Sequence, residues 1–334
     1  MNDLQGRKID YLRISLTDRC NLRCIYCMPE EGVVPLCHDD ILRVEEIATI
    51  TKTAAELGIK HVRLTGGEPL VRRGVVNLIR DIKAIPGIES VALTTNATLL
   101  PQFATDLKEA GLDRVNISLD TLDAEQYAYI TRRGKLEDAI AGIHAALEHG
   151  LTPVKLNVVV VKDLHQDLLE FAKLTIDKPL HVRFIEYMPV GDANNFTGCK
   201  WGPEEIIPSE EVIETINAAA LDSGMEPLIA LNNDNQPEGW GPARYFKFDG
   251  ALGTVGTISA ISNHFCATCN RLRLTSDGKI KPCLFSDTEY DLKTPLRTGD
   301  IDGMMSVLKD ALLHKPESHN HRIGTKRKMS QIGG

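Results

Sequence analysis

Short apolar runs alternate with stretches of helical periodicity through the first half of the chain. Tyr11-Leu12-Arg13-Ile14-Ser15-Leu16 predicts a strand. Over 44–57 apolar residues recur at helical spacing and stop at Gly58, which can close a helix in the left-handed conformation that other residues resist. His61–Thr65 predicts a second strand running into Gly66-Gly67-Glu68-Pro69, and a helix follows over 75–85. A third strand is expected at 91–96 with a helix over 103–110, and a fourth at 115–120 with helical segments through Tyr127 and over 140–148. Residues 155–161 are nearly continuous in apolar side chains, as in a strand buried on both faces, and 182–188 read as the sixth strand.

Six strand–helix steps in succession imply parallel strands joined by crossover helices, hence a TIM-like barrel or an open doubly wound sheet. In either, function collects at the C-terminal ends of the strands. The chemical groups of the chain fall there. Cys20, Cys24 and Cys27 follow the first strand, Gly66-Gly67-Glu68 the second and Thr95-Asn96 the third, while Ser118 and Asp120 end the fourth and Glu186 and Met188 the sixth.

From Gly191 the pattern changes. Residues 191–208, rich in Gly, Asn, Asp and Pro, read as loop, and Ser209 is placed to N-cap a helix to about 221. After an irregular stretch over 232–242, strand-like runs occur at 245–248 and Thr254–Ile258. Cys266-Ala267-Thr268-Cys269 then leads into two strand runs, 271–275 and 279–283, around Ser276-Asp277-Gly278. That is a hairpin signal, and the hairpin would return Cys283 to the side of Cys269. The last residues, 319–334, carry Arg322, Lys326, Arg327 and Lys328 and end in Gly333-Gly334. A basic terminus of this kind is ordinarily frayed, but two glycines can thread a narrow cleft.

Composition narrows the class. A chain of 334 residues with 43% apolar and 25% charged content has the make-up of a globular protein with a large core. The N-terminus lacks the profile of a signal peptide, and no apolar run approaches a membrane span. The expected compartment is the reducing cytoplasm, where eight cysteines read as metal ligands and not as disulfides. A net charge of −8 argues against nucleic acid as a partner, so any anionic ligand must be held by locally placed Arg and Lys.

Three cysteines spaced x3 and x2 within eight residues converge on a metal. A 4Fe-4S cube held by three thiolates keeps one iron open to an outside ligand. Zinc, with Cys37 or His38 as fourth ligand, is the alternative. The second group, Cys266, Cys269 and Cys283, is again a triad, and His264 would complete a zinc site there. Arg271 and Arg273 alternate in a strand and share a face, which suits an anion clamp next to metal-bound cysteines. The Gly-Gly-Glu-Pro turn has no phosphate-loop pattern, and its glycine backbone edges suit the amino group or carboxylate of a small ligand. Cys37 and Cys199 show no pattern.

The Cys-x3-Cys-x2-Cys motif with Tyr26 inside it, followed by Gly66-Gly67-Glu68-Pro69, resembles the radical S-adenosylmethionine (SAM) superfamily. The second Cys-x2-Cys-x13-Cys set, the Arg271-Leu272-Arg273 run and the Gly-Gly terminus narrow the resemblance to the GTP 3′,8-cyclase family, over 13–334. The resemblance implies an α/β fold: a partial (βα)6 TIM-like barrel over 1–190, with an α+β segment over 191–334 covering the barrel mouth.

It also implies two 4Fe-4S clusters, one on Cys20, Cys24 and Cys27 that chelates SAM and one on Cys266, Cys269 and Cys283 that meets the guanine of GTP. Tyr26, Gly67, Ser118 and Met188 would line the SAM site, with Gly66 and Glu68 beside them. Arg13, Arg63, Thr94, Lys155, Arg271, Leu272 and Arg273 would contact GTP. Arg13, Arg271, Arg273, Gly333 and Gly334 are the implied catalytic set.

In the implied reaction a 5′-deoxyadenosyl radical takes the hydrogen from C3′ of GTP and the carbon radical attacks C8. The product is (8S)-3′,8-cyclo-7,8-dihydroguanosine 5′-triphosphate, made in the first step of molybdenum cofactor biosynthesis. The implied partners are a flavodoxin- or ferredoxin-type electron donor and a downstream cyclic pyranopterin monophosphate synthase, with a homodimer as one allowed assembly and no membrane partner. The competing readings are a radical SAM peptide-modifying enzyme with an auxiliary cluster, and a non-enzymatic iron–sulfur or zinc regulatory module.

Overall fold

The computed structural model describes residues 1–34, 36–37, 39–190, 201–319 and 325–332. His38, Cys199, Arg322, Gly333, Gly334 and the loop reading of 191–200 lie outside the described residues. The elements run β1 (Tyr11–Ser15), α1 (Val44–Glu56), β2 (His61–Thr65), α2 (Val75–Lys83), β3 (Ser90–Thr95), α3 (Leu100–Glu109) and β4 (Arg114–Ser118). They continue with α4 (Ala124–Thr131), α5 (Leu136–Glu148), β5 (Val154–Val160), α6 (Leu168–Asp177), β6 (Leu180–Glu186), α7 (Ser209–Asp222), β7 (Ile229–Ala230) and β8 (Arg244–Lys247). The remainder is β9 (Thr254–Ile258), β10 (Arg271–Leu274), β11 (Lys279–Lys281), β12 (Tyr290–Asp291), α8 (Lys293–Thr298), α9 (Ile301–Leu313) and α10 (Met329–Ile332). Among the described residues no helix is long and apolar enough to cross a membrane.

Strands β1 to β6 lie side by side in sequence order and are all parallel. A doubly wound sheet would reverse its order at a switch point, so the sequential order decides for a partial barrel. The C-terminal segment does more than cover the mouth. It extends the same sheet at both edges, β10 pairing parallel with β1 and β9 parallel with β6, and the sheet does not close.

The strands alternate sharply between faces. Leu12, Ile14, Val62, Leu64, Val91, Leu93, Val115 and Ile117 are 0% exposed in the main core. Each fully buried side chain of this size contributes about 1.5–3 kcal/mol. The opposite face carries Arg13, Arg63, Arg114, Lys155, Arg183 and Arg273. The apolar run at β5 is therefore buried on both sides but not apolar on both, since Lys155 and Asn157 point inward with Val159. Arg13 is in register with Arg63 on one side and Arg273 on the other, and Arg273 with Lys281, so a row of cations crosses four strands.

The start of α7 departs from expectation. Pro208 occupies the cap position, and Ser209 is the first helical residue. Its N–H (2.9 Å) and Oγ (3.0 Å) donate instead to Glu186 Oε1 at the end of β6. Glu186 also accepts from Ile261 N–H (2.8 Å), Ser262 N–H (2.9 Å) and the Ser262 hydroxyl. A buried carboxylate with so many donors to collect wins Ser209 from the helix. Burial opposes its charge, yet these bonds hold its pKa below the ordinary carboxylate value.

Candidate active site

The cysteine loop leaves β1 and is pinned at both ends. Arg23 N–H and Ile25 N–H donate to Thr131 and Ile130 C=O at the end of α4, both at 3.0 Å. On the other side Gly67 N–H donates to Thr17 C=O (2.7 Å) and Glu68 N–H to Arg19 C=O (2.8 Å). A Cβ on Gly67 would come within 2.2 Å of Arg19 C=O, and one on Gly66 within 2.6 Å of Thr17 C=O. The glycines are thus set by the close approach of two backbones, and the strap they form fixes the cysteine segment over the ends of β1 and β2.

Glu68 turns away from this strap into the protein. Its carboxylate accepts from Thr95 Oγ1 (2.8 Å), Asn96 N–H (2.8 Å) and Leu70 N–H (3.0 Å), tying the end of β2 to the end of β3. Burial lifts its pKa to about 7 against these bonds. Asn96 in turn donates from Nδ2 to Cys20 Sγ at 3.7 Å and to Asn21 Oδ1 at 2.9 Å. Tyr26, inside the cysteine motif, donates its hydroxyl to Asp120 Oδ2 at 2.6 Å, while Asp120 Oδ1 accepts from Val159 N–H at 2.9 Å.

The second triad is built by a short turn and a hairpin. Cys269 N–H closes on Cys266 C=O (3.2 Å), and the antiparallel pair β10–β11 carries the chain back to Cys283. The Arg271 guanidinium lies over the Phe265 ring, 4.7 Å from its centre.

Both triads open into one cavity of about 290 Å³, whose wall includes all six thiols. The same wall carries Arg13, Arg63, Arg271, Arg273 and Thr94, with Tyr26, Gly66, Gly67, Ser118 and Met188, the last in one apolar cluster with Phe285 and Cys283. Three sequence-named residues are not on this wall. Glu68 sits behind it, as described. Leu272 is 2% exposed on the apolar face of β10, within the core. The Lys155 ammonium donates to Glu238 C=O, and burial together with Arg183, Arg114 and Arg63 brings its pKa down to about 6. Gly333 and Gly334 lie outside the described residues.

Several wall residues escape a reading by motif: Arg183, Asn157, Lys315 and His319. Arg183 donates to Asn116 Oδ1 (2.7 Å) and Asn157 Oδ1 (2.6 Å). Its signal was the inward alternation it shares with Arg13 and Arg63, visible only once strand register is known.

The donor sets suit what the motifs imply. Burial pushes the Cys20 thiol up to about 11 and Cys27 to about 12, and lifts Cys24 well above the ordinary value. A thiol that coordinates a metal is deprotonated outright, so a bound cationic centre reverses that penalty. None of the seven described cysteines is in a disulfide, and no fourth cysteine joins either triad on the wall. The second triad has nitrogen donors at hand: ligand atoms of His264, Cys266 and His319 lie within 4.8 Å of one another. The cationic wall suits an anion. Burial and mutual repulsion bring Arg63 and Arg273 down to about 10. Thr94 Oγ1, Arg63 Nε and Arg271 Nε are buried without a hydrogen-bond partner among the described residues. Unmet buried donors of this kind cost about 1–3 kcal/mol each, which a polyanionic ligand would offset.

Comparison with known proteins agrees in sequence and in fold. Residues 14–175 match the Radical SAM superfamily and residues 180–321 match Molybdenum Cofactor Synthesis C. GTP 3′,8-cyclases of Pelotomaculum thermopropionicum and Petrotoga mobilis are 50% and 52% identical to this chain, each alignment covering 100% of both proteins. That of Moorella thermoacetica is 50% identical, again with 100% of both covered. Among solved structures, Streptococcus suis SuiB bound to S-adenosylmethionine superposes with a TM-score of 0.59 at 16% identity. The alignment covers 90% of this chain and 67% of that one and is a likeness of fold.

Proposed function

The chain belongs to the GTP 3′,8-cyclase family of the radical SAM superfamily, and we infer from this that it is a lyase cyclising GTP in molybdenum cofactor biosynthesis, its two cysteine triads facing each other across the substrate. The observation that carries this division of labour is the single cavity walled by both triads with guanidiniums on the same wall.

Cys20, Cys24 and Cys27 would hold the 4Fe-4S cluster that binds SAM, and Cys266, Cys269 and Cys283 a second 4Fe-4S cluster at the guanine end. When bound, the first group supplies reductive cleavage of SAM and the second an open iron for the base. Everything else falls to side chains. Tyr26, Gly66, Gly67, Ser118 and Met188 shape the SAM end, and Glu68 acts at one remove by holding Thr95 and Asn96 in place. Arg13, Arg63, Arg271, Arg273 and Thr94 take the triphosphate, the guanidiniums by paired charge-assisted bonds. Lys155 lies off this wall, bonded to Glu238 C=O, and Leu272 contributes by its backbone alone. A reactive primary radical attacks any nearby C–H bond, so enclosure and placement are the protein's main work.

Residues 1–190 and 191–334 each bring one triad to this cavity. Arg13 meets Arg273 in the register of β1 with β10, so the substrate clamp needs both segments. The remaining parts of the reading are an electron donor of flavodoxin or ferredoxin type, a cyclic pyranopterin monophosphate synthase that consumes the product, and a reducing compartment, the cytoplasm, for the seven thiols that lie outside any disulfide among the described residues.

The test is anaerobic reconstitution with iron and sulfide, then reduction with SAM, with and without GTP. About eight irons per chain, two cubes, and 5′-deoxyadenosine formation stimulated by GTP are expected. Arg271→Ala should keep the iron and basal SAM cleavage while losing at least tenfold in GTP-dependent product. Iron lost in that variant would make Arg271 structural. His264 and His319 beside Cys266 favour one other reading, zinc in the second triad, which metal analysis would reveal as about four irons and one zinc.

A further inference from the structure

Lys315 follows α9 and is 3% exposed. Its ammonium donates to Arg271 C=O at 2.9 Å and Pro282 C=O at 2.6 Å, and it stands on the cavity wall with the Cys269 thiol. Arg271 lies two residues after Cys269 and Pro282 immediately before Cys283, so one buried cation joins both arms of the hairpin at the points where the cysteines leave it.

The segment carrying this lysine is fixed from the opposite end of the chain. Arg7 donates to the carbonyls of Lys315 (3.1 Å), Pro316 (2.8 Å) and Glu317 (3.1 Å), and to Cys266 C=O (2.9 Å). Its own Nε is paired with Asp3 Oδ2 at 2.6 Å. The first triad is treated differently. Its described sulfur bonds come from neutral donors: Leu22 N–H (3.3 Å) and Asn96 Nδ2 (3.7 Å) at Cys20.

We propose that Lys315 is the positioning residue of the second triad and that its positive charge, fixed by the two carbonyl bonds that flank Cys269 and Cys283, raises the reduction potential of the cluster held there. A cation beside a ligating thiolate favours the state with the extra electron, and hydrogen bonds to sulfur act in the same direction. The two clusters of one cavity are thereby set to different potentials by their surroundings. This rests on the reading of Cys266, Cys269 and Cys283 as an iron–sulfur site.

The experiment uses the full chain with Cys20, Cys24 and Cys27 replaced by Ala, so that only the second triad takes up iron. Potentiometric titration followed by EPR compares Lys315 with Lys315→Met and Lys315→Arg. The Met variant should be at least tenfold harder to reduce, a shift of about 59 mV to lower potential for one electron. The Arg variant should stay near the parent. If Lys315→Met takes up no iron while Lys315→Arg does, the charge is needed for assembly as well, in agreement with the proposal. An unchanged potential with full iron in the Met variant would overturn it. Zinc instead of iron in the parent triad would overturn the site reading beneath it, and metal analysis separates that failure from the first.

Discussion

At the residue scale, Gly67 shows how little room separates a motif from a defect. Its amide is spent on Thr17 C=O, and the space its missing side chain leaves is filled by Arg19 C=O. Gly67→Ala should therefore push the cysteine loop off the strand ends. The expected result is a folded chain that retains the iron of the second triad but takes up less than half of the first, read by iron analysis and EPR. By sequence this stretch reads as a tight strand-to-helix turn whose exposed glycine edges also suit a small ligand. The structure adds that the same edges first bind the loop carrying Cys20. The glycines were legible and their partner was not, because Thr17 and Gly67 are fifty residues apart along the chain.

At the element scale, the C-terminal segment is held by charge. The Arg327 guanidinium forks between Asp277 in the β10–β11 turn, with both contacts at 2.9 Å, and Glu289, with both at 2.6 Å. Thr325 Oγ1 and Lys326 N–H add bonds of 2.9 Å to Asp287. Past this anchor Met329 lies on the cavity wall, and Ile332 C=O accepts from Arg273 at 3.2 Å. Residues 325–332, within a terminus that composition marks as frayed, are thus tied to the hairpin of the second triad. Arg327→Ala should raise hydrogen exchange over 325–332 with the sheet unchanged, and increase deoxyadenosine formed per cyclised product severalfold. Exchange confined elsewhere would mean the fork is not the anchor.

On the scale of the whole molecule, the partial barrel is sealed at its opposite end. Trp240 stacks on His61, with ring centres 3.8 Å apart, and lies under the Arg114 guanidinium at 3.6 Å. His61 and Arg114 begin β2 and β4, so this ring closes the end away from the cysteines. Loss of the ring pairing and the cation–π contact in Trp240→Ala should cost about 1–3 kcal/mol. Denaturant titration would read that as a lower midpoint, with iron content intact in the remaining folded protein. A midpoint equal to the parent's would make the plug ornamental.

The sequence by itself determined the elements and the chemistry. Apolar periodicity located the six parallel strands to within two residues, because each outer face has to be apolar to pack beneath helices, and the two cysteine triads and the hairpin that closes the second were visible as spacing. Only the tertiary structure decided the rest. Sequential strand order separated the barrel from a doubly wound sheet, and the pairing of β10 with β1 and β9 with β6 drew the C-terminal segment into the barrel itself. That pairing put Arg273 beside Arg13 and moved Leu272 into the core. Arg183, Lys315 and Arg7 carried no motif, since a residue's part in a buried network is set by partners on other elements, far along the chain, which hydrophobic pattern does not encode. Glu186 and Ser209 stood apart for the same reason: a carboxylate buried among five donors outbids a helix terminus, and burial is a property of the fold alone.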